Sequence, residues 1–128
     1  MSTSLYAGIL GLIYLKITFD TIMIRRTKKV SLGSGKSNEI LHMTSAHNNF
    51  SNYAPFFLIL FYLAEIRGFS QIALHIIAMF FIMGRLFHYY YMKYQEKSFT
   101  KRQIGMIFTL IPIAILSIIN IVFIFMSK

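Results

Sequence analysis

Four apolar stretches, roughly residues 4–24, 45–66, 71–92 and 104–126, occupy most of this 128-residue chain. Each is close to the ~20 residues that an α-helix needs to cross ~30 Å of hydrocarbon. Lipid offers no partner to a backbone N–H or C=O, so stretches of this kind must satisfy those groups internally, as helices. Charged residues make up only 13% of the chain, about half of what a soluble domain carries. The expected fold is all-α, an integral membrane four-helix bundle forming a single domain over residues 1–128, with no room left for a soluble domain.

The net charge of +9 is concentrated between the stretches. Loop 1 carries Arg25, Arg26, Lys28, Lys29 and Lys36 against Glu39; loop 3 carries Lys93, Lys97, Lys101 and Arg102 against Glu96. Loop 2 has only Glu65 and Arg67. Basic loops stay in the cytoplasm, so loops 1 and 3 are expected there, with both termini on the opposite side. Most of the lysines need no role beyond topology and attraction to anionic headgroups. The first stretch lacks a basic lead-in and an Ala-x-Ala site, so it is expected to remain in the mature protein. The chain has no Cys, which excludes a disulfide framework, a thiolate nucleophile of its own and a Cys-based metal site. Any thiol chemistry must use a thiol carried by the substrate.

Polar residues inside the apolar stretches are the candidates for function, because each is costly at membrane depth. His42, Ser45, Asn49 and Asn52 recur at steps of three and four, one helical face leading into the second stretch. Pro55 follows within that helix and leaves the Ser51 carbonyl without its usual partner, which predicts a local kink. Arg85, His88, Tyr89 and Met92 share a face of the third helix. Arg85 lies about 12 Å along that helix from Lys93, deep enough to require partners. Arg102 and Gln103 open the fourth helix, where unpaired N–H groups favour an anion. Lys16 and Asp20, four apart, are expected to form an internal ion pair. His75 is expected to pack or to sit at the interface. The Gly33–Gly35 segment lacks the spacing of a phosphate-binding loop and has no strand before it, so it is a turn.

Chain direction places Asp20, Arg25, Asn49, Asn52, Arg85, His88, Arg102 and Gln103 in the same half of the bundle. Amides, guanidiniums, an imidazole and phenols at one depth suit a small anion with several carboxylates, beside an apolar partner entering from lipid. At this point the residues themselves resemble a known family. Ala46-His-x-Asn-Phe-x-x-Tyr-x-Pro55, Glu65, Gly84-Arg-x-x-His88 and Arg102-x-x-Gly105 are similar to the MAPEG family, the membrane-associated proteins in eicosanoid and glutathione metabolism, and most of all to its small bacterial members.

The resemblance implies a left-handed bundle assembled as a homotrimer in the bacterial inner membrane, with glutathione as co-substrate between subunits. Carried over by position, Asn49, Arg85, His88 and Arg102 are the glutathione contacts, with Gln103 beside them and Arg25 and Arg26 at the basic end of the first helix. Arg102 and Arg85 are the candidate catalytic residues, stabilising the glutathione thiolate by charge. The implied activity is a membrane-bound glutathione-dependent transferase or peroxidase acting on apolar electrophiles or lipid hydroperoxides. Ser45 and Asn52 stand where the family commonly has Arg and Glu, and Met92 where it has Tyr. These departures leave open a non-catalytic, lipid-binding member. A small multidrug transporter fits less well, since Asp20 lies near a helix end with Lys16 beneath it. No nucleic-acid partner is expected.

Overall fold

The computed structural model describes residues 1–95 and 99–126, apart from the side chain of Phe99. Four α-helices follow one another: α1 (Ser2–Lys28), α2 (Asn38–Ile66), α3 (Gln71–Lys93) and α4 (Phe99–Met126). Every regular element among the described residues is helical. Helices α1, α3 and α4 (from Thr100) are long and apolar enough to cross a membrane. Helix α2 matches them in length, at 29 residues, but its first half carries the polar stripe from His42 to Asn52. Glu96 and Lys97, part of the charge pattern used for topology, lie outside the described residues.

Loop 1 is shorter than the sequence suggests, because both of its ends are capped. Lys29 adopts the left-handed conformation (φ 55°), and its N–H returns to the Arg25 and Arg26 carbonyls, closing α1. Ser37 caps α2 by accepting the Ile40 N–H, and Glu39 in the first turn complements the helix dipole. Helix α2 therefore starts about two turns before residue 45. Ser70 caps α3 in the same way through the Ala73 N–H, and the short Arg67–Ser70 connection makes α2 and α3 an antiparallel hairpin.

That hairpin is the centre of the molecule. Helix α1 packs against α2 and α3 on one side and α4 packs against them on the other, while among the described residues α1 and α4 do not meet. The core lies along the hairpin, where Phe57 and Phe81 stack with ring centroids 3.9 Å apart and Phe61 receives the edge of Tyr6 at 5.4 Å. Helix α2 remains continuous through Pro55, which faces outward. The hydroxyl of Ser51 turns back to the His47 carbonyl at 2.9 Å.

Glycine sets the closest helix contact. A Cβ added at Gly84 would stand 2.9 Å from the Phe108 carbonyl carbon and from Thr109 Oγ1; one added at Gly105 would stand 3.2 Å from the His88 nitrogen. These two glycines let α3 and α4 approach backbone to backbone. Residue Arg85 follows Gly84 directly, so the crossing also fixes where that guanidinium lies.

At the far end, Glu65 takes the place of a missing side-chain cap on α1. Its carboxylate accepts the N–H groups of Ser2 and Thr3 and the Thr3 hydroxyl. Tyr6 and His75 share a hydrogen bond of 2.7 Å between the hydroxyl and Nδ1. His75 thus has the packing role expected of it, joining α3 to α1.

Candidate functional site

Arg85 is the largest fully buried side chain among the described residues, at 1% exposure. Its Nε–H donates to Thr109 Oγ1 at 2.9 Å, its Nη2 donates to the same oxygen, and its Nη1 donates to Asn49 Oδ1. The Thr109 hydroxyl hydrogen goes to the Gly105 carbonyl at 2.9 Å. One hydroxyl therefore donates once and accepts twice, which uses its full capacity. The faces of Tyr53 and Phe81 lie 5.3 and 5.9 Å from the guanidinium carbon, close enough for cation–π attraction.

Every one of those partners is neutral. Among the described residues the ion pairs are Lys16–Asp20, Lys93–Asp20 and Lys28–Glu39, and Glu65 is engaged with the start of α1. Arg85 thus carries a buried charge solvated by an amide, a hydroxyl and two rings, with no described carboxylate to balance it. A charge in that position is costly and attracts an anion.

The other expected residues fall into two groups. Asn49 touches Arg85 directly, and buried His88 stands within electrostatic reach of both Arg85 and Arg102. Arg102 and Gln103 are exposed, but α4 begins at Phe99, so they are its fourth and fifth residues and do not open the helix as expected. Of the polar stripe on α2, Asn49 is the member that reaches Arg85; His42 and Ser45 are half-buried and Asn52 is exposed. Arg25 and Arg26 belong elsewhere. Arg25 donates to the Gly33 carbonyl at 2.9 Å and to Thr44 Oγ1 at 3.1 Å. It lines a cleft of about 230 Å³ between α1 and α2 with Thr18, Thr21, Thr44 and His47. His47 Nε2 and Thr18 Oγ1 lie 3.2 Å apart across that cleft. His47 and Asn49 are two residues apart on one helix, about 200° around its axis, so the Arg25 cleft and the Arg85 cluster face away from each other.

Two contributions escape a reading of motifs. Thr109 is an isolated hydroxyl in an apolar helix, and its only sequence signal is its position four residues after Gly105. Asp20 forms the expected pair with Lys16 at 2.6 Å, but it also accepts from the Tyr89 hydroxyl and pairs with Lys93 at 2.8 Å. It thereby ties α1 to the end of α3 that carries the site.

Long apolar helices and a buried guanidinium with no carboxylate partner among the described residues define a small polytopic membrane protein with a charged interior. The MAPEG family profile matches residues 3–122, and the chain belongs to that family. It is 28% identical over 121 residues to the inner membrane protein YecN of Escherichia coli K12, covering 94% of this chain and 91% of that protein. The YecN of E. coli O6:H1 matches to the same extent. No solved structure matches the chain.

Proposed function

We propose that the protein is a membrane-bound glutathione-dependent transferase or peroxidase, acting on apolar electrophiles or lipid hydroperoxides as a homotrimer. The observation that carries this reading is the buried Arg85 charge, which lacks a carboxylate among the described residues. Glutathione brings two carboxylates and the thiol that this Cys-free chain cannot supply. A planar guanidinium suits a carboxylate at two points. Arg102, at the positive end of α4, lowers the thiol pKa and holds the thiolate.

In a transfer, the thiolate forms a carbon–sulfur bond and the electrophile's leaving group departs with the displaced electron pair. With a hydroperoxide, the thiolate attacks the outer oxygen and an alcohol leaves after protonation. The resulting glutathione sulfenic acid then condenses with a second glutathione to give the disulfide and water. Both routes pass without a covalent enzyme intermediate.

The proposed trimer is consistent with the same reading. The Arg25 cleft and the Arg85 cluster face opposite ways in one subunit, so a ligand touching both must lie between two copies. The basic charge of loops 1 and 3 supports placing them in the cytoplasm, where glutathione is found. Calorimetric titration with glutathione, followed by conjugation and peroxidase assays in mild detergent, tests the proposal. Binding without turnover would move the protein to the non-catalytic reading. Asn52 and Ser45, and the prior use of Arg85's donors by Thr109 and Asn49, favour that second reading. Absence of glutathione binding would overturn the proposal outright.

A further inference from the structure

Three cations at the end of α1 border a cleft that no carboxylate lines. Ile22, Arg25, Arg26 and Lys29 recur at i, i+3, i+4 and i+7, one face of the helix end. With Val30 and Ser31 they border about 420 Å³. Lys28 lies off that face and pairs with Glu39 at 3.3 Å. The other described carboxylates are also engaged, Asp20 with Lys16 and Lys93 and Glu65 with the start of α1. Arg25 uses two of its five donors on neutral oxygens, the Gly33 carbonyl and the Thr44 hydroxyl. Among the described residues the Arg26 and Lys29 side chains have no acceptor, and both are exposed. Three like charges around one cleft repel each other until an anion comes between them.

Loop 1 also presents an apolar side chain beside that charge. Leu32 is 87% exposed, the highest value of any large apolar residue among those described, and it lies outside the four apolar stretches. The loop does not carry it away from the membrane. The Val30 N–H returns to the Arg25 carbonyl at 3.0 Å, and the Arg25 guanidinium donates to the Gly33 carbonyl at 2.9 Å. Both bonds fold the loop back to the level of Arg25, about 5 Å before the last residue of α1. Leu32 is thereby kept beside the final turn of a helix long and apolar enough to span a membrane. We infer that the cleft binds the phosphate of one anionic phospholipid in the leaflet at loop 1, with Leu32 entering the acyl region beside it. The cations and the leucine then meet the two parts of one molecule. Guanidinium and ammonium groups take the phosphodiester, and the apolar side chain leaves water. A soluble phosphate ester would satisfy the cations and leave Leu32 exposed. Arg26 and Lys29 carry the inference, and Arg25 is the wall shared with the Thr44–His47 cleft. The inference is therefore independent of glutathione chemistry.

The chain has no Trp, so Leu32→Trp keeps an apolar side chain at the loop tip and reports its surroundings. The variant is reconstituted with phosphatidylglycerol or phosphatidylcholine brominated near the glycerol end of the acyl chains, and quenching is measured against the labelled fraction. Both lipids should quench, and phosphatidylglycerol should be preferred about fivefold, the size expected for one cation at the headgroup surface. Adding Lys29→Gln should reduce the preference, and Arg26→Gln with Lys29→Gln should abolish it. Lys36→Gln removes the same charge from loop 1 outside the cleft and should leave the preference intact. Excess soluble glycerol phosphate should not restore the emission. Absence of quenching at position 32, or equal quenching by the two lipids, would overturn the inference. Equal losses from Lys36→Gln and Lys29→Gln would reduce the site to diffuse attraction, and recovery of emission with glycerol phosphate would make the ligand a soluble ester; either result overturns it as well. Each variant must elute from gel filtration like the parent. Native mass spectrometry of the protein with Leu32 in place gives a measurement free of the reporter. In a mixture of the two lipids, phosphatidylglycerol adducts should predominate and should diminish with Lys29→Gln, whereas equal adducts of both lipids would sink the idea.

Discussion

Thr109 accepts the Nε–H of Arg85 at 2.9 Å while donating its own hydrogen to Gly105. The guanidinium of α3 is thus oriented by α4, at the point where two glycines bring the helices together. Replacing Thr109 with Val keeps the shape and removes the acceptor. A hydrogen bond to a charged group is worth about 1.5–3 kcal/mol, so Thr109→Val should lower thermal stability in detergent by that order. Thr109→Ser should retain most of it. Equal melting of all three proteins would show that Arg85 is held by Asn49 and the rings alone.

Arg85→Lys separates a charge requirement from a geometric one. An ammonium preserves the charge but cannot present two parallel donors to a carboxylate. The variant should stay folded with unchanged oligomeric size, and glutathione affinity should fall about tenfold or more, the loss of one charge-assisted contact. Isothermal titration of both proteins decides the matter. Equal affinity would make Arg85 a structural residue.

Gly84→Ala places a methyl group 2.9 Å from the Phe108 backbone and Thr109 Oγ1. Backbone cannot give way as a side-chain tip can, so α3 and α4 must separate. Overpacking of this kind costs typically 1–3 kcal/mol, against a small gain in helix propensity. Thermal unfolding followed by circular dichroism should show a net loss, and Arg85 should become more accessible to arginine-modifying reagents. An unchanged melting curve would refute the tight crossing.

The native absence of Cys makes topology directly testable. Ser34→Cys in loop 1 should resist an impermeant thiol reagent applied to intact cells, and Arg67→Cys in loop 2 should react. Disruption of the cells should expose both. The reverse pattern would place the Arg85 cluster at the outer face and remove cytoplasmic glutathione as its ligand.

Much of this molecule is legible in the sequence because the relevant forces are local. Helix length follows from the run of apolar residues that lipid requires, although α1 ends later and α2 starts earlier than those runs suggest, where Lys29 and Ser37 cap them. The Lys16–Asp20 pair needs only a spacing of four. Even the depth of Arg85 can be counted along α3. What the sequence leaves open is which faces meet, since apolar residues surround each helix and lipid rewards all of them alike. Only the packed structure turns Asn49 toward Arg85 and His47 away from it, through a difference of two residues on one helix. Only the close approach at Gly84 and Gly105 brings Thr109 beneath the guanidinium. Those relationships are long-range and steric, decided where backbones can touch, and no local pattern encodes them.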